Sequence, residues 1–294
     1  MRHYILKSAL ISLGIISISL AWTGCSSDNK KAEDLFGKNG NNANKDTSAI
    51  GQRVRKVHDI FSNLPTTVQI MQLLKKSGSH YTVDIPNDPT AVSKYSTKQT
   101  QALNLGVYAA DLSFAGLFDQ KDDAGFFLQS ANKLSGALGI PDAFNDKIIS
   151  RIENNMANQD SLLSIILSDY WTTDTYLKKN DRQEVSACLV SGGWVEGMYI
   201  AVVLANKTHD KSLANEVARQ KMSLQSLADM LQTYPNSQNM ASLVAQVKKL
   251  QDSFAGVTVD ANSKEDGPDL LTADQLKAIT DAVTAMRTQI IQGS

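Results

Sequence analysis

The most constraining stretch of this chain is Val185 to Ala205, VSACLVSGGWVEGMYIAVVLA, which carries a single charge, Glu196, in 21 residues. A helix that is apolar all round has to be surrounded, either by lipid or by other helices. Its Gly193-x-x-x-Gly197 spacing suits close helix approach in either setting. Three features favour a protein surrounding: the flanks lack aromatic belts, the other periodic stretches are amphipathic, and one span would cut the body in two. We therefore read the segment as the central helix of a soluble bundle, with a membrane-crossing helix as the competing reading.

Enough other helices are expected to enclose it. Periodicity places them near 49–63, 66–77, 97–118, 123–138, 143–157, 160–179, 182–206, 211–233, 238–254 and 272–291. In the 211–233 stretch, for example, Leu213, Val217, Met222, Leu224, Leu227, Met230 and Leu231 recur mostly at three- and four-residue steps. All six prolines (Pro65, Pro86, Pro89, Pro141, Pro235, Pro268) fall at segment ends. Capping patterns in Ser96 with Gln99, Asn180 with Gln183 and Thr272 with Gln275 predict three helix starts. Only Tyr81–Ile85 and Gly256–Val259 alternate like short extended pieces. The expected class is all-α, a compact multi-helix bundle or a stack of helical hairpins of about ten helices. With 294 residues, 42% hydrophobic and 20% charged, the chain can bury a substantial core. Its net charge of -1 weighs against a nucleic-acid binder. Leu105-Gly106-Val107-Tyr108 is similar to the Leu-Gly-x-x-Tyr of tetratricopeptide repeats, but the tyrosine falls one residue early and no matching period follows.

The N-terminus carries an address. Arg2, His3 and Lys7 precede an apolar run from Ala9 to Trp22, and Thr23-Gly24-Cys25 follows. The run is short for a membrane span and has the layout of an export signal. A small residue before the first cysteine resembles the lipobox of bacterial lipoproteins. On that reading residues 1–24 are the signal peptide and Cys25 becomes the lipidated first residue; the competing reading is an uncleaved anchor. Residues 25–47 are rich in Asn, Lys, Asp, Gly and Ser and are expected to form a flexible tether reaching about 25 Å. A single helical domain, 48–294, would follow. Removing Cys25 leaves Cys188 alone, so no intrachain disulfide is available, and the apolar neighbours of Cys188 predict a buried, inert thiol.

Candidate functional residues are the polar ones stranded in apolar helices. Asn104, Tyr108 and Asp111 are four and three residues apart and line one stripe of their helix; Glu196 and Tyr199 share a stripe of theirs, with Trp194 nearby. If both helices are central, Asp111 and Glu196 are carboxylates largely removed from water, and each needs partners or a raised pKa. Asn104, Tyr108, Asp111, Trp194, Glu196 and Tyr199 are thus candidates for a small polar-ligand pocket, and Asp111 with Glu196 for an acid/base pair. The bland alternative is that these acids are tied to tyrosines, Lys or Arg151 and set helix register. The cluster of Arg151, Glu153, Asn154, Asn155, Asn158 and Asp160 reads as a turn and cap, and Asp119, Asp122 and Asp123 as a solvated connection and cap. Asp260 to Gly267 misplaces the glycine of a calcium loop. His58, His80 and His209 stand apart from one another, and phosphate-loop, dinucleotide and nucleophile-elbow motifs are absent from the sequence, so neither a metal nor another cofactor is expected.

Three stretches, Leu73–Gly78 (LLKKSG), Ala102–Ser113 (ALNLGVYAADLS) and Gly192–Ile200 (GGWVEGMYI), resemble a group of uncharacterised all-helical lipoproteins of Bacteroidota. The resemblance spans most of 55–206 and implies an envelope-anchored helical domain, without an activity to transfer. The functional expectation is a binding or scaffold module for a protein partner or small polar ligand, held in the outer membrane by Cys25 and facing the periplasm or the cell surface. The alternative is a hydrolase using Asp111 and Glu196.

Overall fold

The two most apolar helices of this chain lie against each other at its centre. In a computed structural model, which describes residues 79–140, 145–156, 158–234, 237–259 and 270–293, these are α1 (Lys98–Leu117) and α5 (Gln183–Thr208). They share the most extensive helix interface among the described residues. Their contact is possible because it is made of glycine. A methyl group on Gly106 would overlap the Leu189 carbonyl and the Gly193 amide, and one on Gly192 would overlap the Leu103 carbonyl. Two backbones therefore touch where side chains would hold them several ångströms apart. Gly197 takes no part in this contact; it is exposed and a methyl there would meet nothing.

The remaining helices sheathe this pair. They are α2 (Lys121–Leu138), α3 (Asp146–Asn155), α4 (Gln159–Lys179), α6 (Lys211–Arg219), α7 (Lys221–Leu231), α8 (Gln238–Ser253) and α9 (Ala273–Gln292). α2 packs on α1, α4 on both central helices, α9 on α5 and α1, α6 on α5, and α7 with α8 complete the chain of contacts to α9. A 3-10 helix, Pro89–Lys94, lies on α2. The protein is all-α. α5 is long and apolar enough to cross a membrane by length and composition, with a mean hydropathy of 1.6 over its best window, yet 72% of that window is buried by the other helices.

Two expected boundaries moved for local reasons. The first central helix is capped by Thr97, not Ser96: the Thr97 hydroxyl accepts from the Thr100 amide (3.1 Å) and Thr100 Oγ1 returns the contact to the Thr97 amide (3.2 Å). Asn180 closes α4 instead of opening α5, its amide donating to the Tyr176 carbonyl (2.8 Å). Thr272 and Gln275 form the reciprocal box expected of them. The stretch 211–233 divides at Gln220, a buried residue whose side chain donates to Glu216 (3.0 Å) and accepts from Ser223 (2.8 Å). Neither alternating piece is a strand; residues 83–86 are turn and bend, and 254–256 are a turn. The signal, Cys25, the tether, the helices expected at 49–63 and 66–77, His58 and residues 260–267 lie outside the described residues.

Turn chemistry follows the expected residue types. Asn145 and Asn158 cap α3 and α4, Asp119 takes a left-handed φ of 58°, and Gly139 ends α2 at φ 64°. Asp123 departs from the expectation of a cap: in the first turn of α2, it accepts a hydrogen bond from the Tyr81 hydroxyl (2.8 Å).

Candidate functional site

Residues 79–88, which we call the strap, run over α1 and α5 and are pegged at several points to side chains of α1, α5 and α9. The apolar peg is Ile85, buried among Phe114, Leu117, Ile200 and Leu204. The polar pegs come from the stripe of α1. Tyr108 is fully buried and donates its hydroxyl to the Asp88 carbonyl (2.7 Å), and Asp111 Oδ2 accepts from the Asn87 amide (3.1 Å). Asn87 also donates its side-chain amide to Tyr95 (3.0 Å). Asn104, the third member of the stripe, works elsewhere, donating to the carbonyls of Thr100 and of Ile290 in α9 (2.9 Å each).

Glu196 lies opposite Asp111, and its partner is Arg287 of α9. The guanidinium grips it side-on, Nε to Oε2 and Nη2 to Oε1 at 2.9 Å each, and Nη2 also donates to the Ile85 carbonyl of the strap (3.1 Å). Tyr199, one turn along α5, lays its ring under the same guanidinium, 4.2 Å from carbon to ring centre. Burial opposes the charge on Arg287, but the hydrogen bonds and charge of Glu196 outweigh it and hold the guanidinium protonated. Fully paired in this way, the buried ion pair keeps α5, α9 and the strap in one register.

Asp111 has no such counter-ion of its own. Its residue is 0% exposed, as is Glu196, and its Oδ1 meets no donor among the described residues. The group that faces it is the Glu196 carboxylate. Burial first, and then the negative charge of Glu196, push the Asp111 carboxyl well above the usual carboxylate range, against the opposing pull of the Asn87 amide and Arg287. Two facing acceptors without a proton would repel at close range in a low dielectric. A proton kept on Asp111 turns the same contact into a hydrogen bond to Glu196. Tyr108 and Tyr95, on the same side, also have their hydroxyls held protonated, chiefly by burial.

The structure thus brings Tyr108, Asp111, Glu196 and Tyr199 together, and separates Trp194 and Asn104 from them. Trp194 points to the other side of α5 and donates its indole N–H to Ser223 of α7 (2.9 Å). Both carboxylates are sealed under the strap, so as positioned neither can touch a substrate. Arg287 was missed in the sequence, although a signal exists: Ile279, Val283, Arg287 and Ile290 follow one apolar stripe of α9 at steps of four, four and three, and a cation on a core stripe asks for a buried anion. Asn87 and Ile85 left no comparable trace.

Above the strap the surface opens into a groove of about 220 Å³, lined by Tyr81, Val83, Pro86, Asp88, Pro89, Phe127 and their neighbours Asp123 and Phe126. Val83 is 70% and Phe126 55% exposed, which is unusual for large apolar side chains in a chain with so complete a core. Elsewhere, Cys188 is buried in contact with Met240, and burial pushes its thiol up to about 12. Asp174 pairs with Lys178 (2.5 Å) and with the Ser186 hydroxyl inside the α4–α5 interface. Among the described residues, no three His, Cys, Asp or Glu side chains gather in a way that could hold a metal ion. Set against protein-family models, curated proteins and solved structures, the chain matches none of them.

Proposed function

We propose that this chain is a non-enzymatic binding or scaffold module of a bacterial envelope, tethered to the outer membrane through a lipid on Cys25 and offering its helical body to a protein partner. The observation that carries the binding half is the use made of the buried polar groups: Asp111, Tyr108 and Arg287 all hold the strap, and the strap presents Val83 beside Phe126 to solvent. An apolar pair on a rigid backing loses little freedom when a partner covers it. The sealed carboxylates favour this over the hydrolase alternative. The small-ligand version has less behind it, since Tyr108, Asp111 and Glu196 are buried and engaged with the strap and Arg287. The anchoring half rests on the Thr23-Gly24-Cys25 sequence after its apolar run.

Expression of the full chain in a bacterium fed an alkyne-bearing fatty acid tests the anchor. The wild type should take the label and fractionate with membranes, and Cys25→Ser should lose both properties. An unlabelled wild-type chain would remove the lipoprotein reading.

A further inference from the structure

We infer that the groove beside Phe126 docks a short basic segment of a partner protein, one carrying Lys or Arg next to a single large apolar or aromatic side chain. The inference rests on the binding-module reading and adds the partner's chemistry.

Shape comes first. Phe126 is a ridge between two depressions, the groove against the strap and a shallower one of about 450 Å³ on the outer side of α2, lined by Lys121, Asp122, Gly125 and Gln129. A methyl on Gly125 would meet nothing within 4 Å, so the flank of the ridge is open. The strap-side groove, at about 220 Å³, is smaller than the roughly 300–1,000 Å³ of small-molecule pockets. It suits one large side chain of a peptide laid across Phe126. Pro86 and Pro89 leave that wall without amide donors at two positions, so recognition falls to side chains more than to strand pairing.

Charge then selects the occupant. Asp88 and Asp123 line the groove, Asp122 lines its neighbour, and Asp84 adjoins Val83, four acids against Lys121 in the lining and Lys94, whose charge reaches Asp88. Such a rim repels acidic peptides, phosphates and anionic lipid headgroups, and draws Lys and Arg. The rim is also preorganised. Tyr81 is tied to Asp123 (2.8 Å), Ser130 donates to the Pro89 carbonyl (3.0 Å), and Ile85 and the buried ion pair fasten the strap from below.

A random short-peptide library displayed on phage and panned against the detergent-solubilised full chain tests this without presuming a sequence. Enriched peptides should carry Lys or Arg beside Trp, Phe or Leu, and their affinity should weaken several-fold on raising salt. Phe126→Ser should lower it at least about tenfold, and Asp84→Asn with Asp122→Asn a few-fold, at unchanged melting temperature. Acidic or uncharged winners, or winners indifferent to Phe126→Ser, would overturn the inference, as would no enrichment. A photo-crosslinking residue at Val83 settles rival occupants: links to the basic peptides support the inference, whereas links to the chain's own residues 48–78 or to a second copy that persist with peptide present refute it. The lipid-labelling result is independent, so a failed groove and a failed anchor are told apart.

Discussion

Replacing Asp111 with asparagine and Glu196 with glutamine should have opposite consequences, although both changes swap a buried carboxylate for its amide. Asn at 111 keeps an oxygen for the Asn87 amide, now accepted at 3.1 Å, and turns an N–H toward Glu196 where the Asp111 proton sits. It reproduces the neutral acid. Because the folded pKa of Asp111 lies above its unfolded value, the folded state holds one more proton than the unfolded state between the two. Its contribution is therefore fully present below the unfolded pKa and is lost as pH rises through the folded one. Within that window the wild type loses about 1.4 kcal/mol per pH unit from this group, with Glu196, Arg287, Tyr81, Tyr95 and Tyr108 around it. Asp111→Asn lacks the slope, so it should match the wild type within about 1 kcal/mol at about pH 4, where the unfolded carboxyl titrates, and exceed it progressively above. Glu196→Gln instead strands the buried Arg287 guanidinium. Breaking a buried pair this way costs about 3–5 kcal/mol, a fall of roughly 6–20 °C in melting temperature for a body of this size. Chemical denaturation followed by far-UV circular dichroism, repeated from about pH 4 to about pH 8, measures both. If Asp111→Asn is as damaging as Glu196→Gln at every pH, Asp111 is an ionised partner of Arg287 and the shared-proton account is wrong.

The glycine contact makes a paired prediction: Gly106→Ala should destabilise by about 3 kcal/mol or more because the methyl meets backbone, while Gly197→Ala, exposed in mid-helix, should gain about 0.5–1 kcal/mol. Melting temperatures of the two variants decide it, and equal losses would show that α1 and α5 do not touch there. Cys188 should resist alkylation in the folded protein and react promptly in denaturant, as read by mass spectrometry; rapid native labelling would contradict its burial and raised pKa. Thr97→Ala should cost about 1 kcal/mol and Ser96→Ala only a few tenths, in equilibrium unfolding, since the cap bond is made by Thr97.

Helical class and the central place of α5 were legible in the chain, because an apolar all-round segment with one acid has few environments and three- and four-residue spacing specifies which face is covered. The Thr272–Gln275 box and the burial of Cys188 were equally readable, being set by neighbours a few residues away. The stranding of Asp111 and Glu196 was visible too, but its resolution was not. Partners for a buried charge are chosen in space: Arg287 lies 91 residues from Glu196, and Asn87 lies 24 from Asp111. The same holds for Trp194, two positions from Glu196 and therefore turned to another helix, and for the helix break at Gln220, where a buried side-chain network overrides a continuous apolar period. Local propensity and periodicity act within a turn or two of helix. Which carboxylate keeps its proton depends on desolvation and on charges from three helices and a strap, and those meet only when the tertiary structure closes.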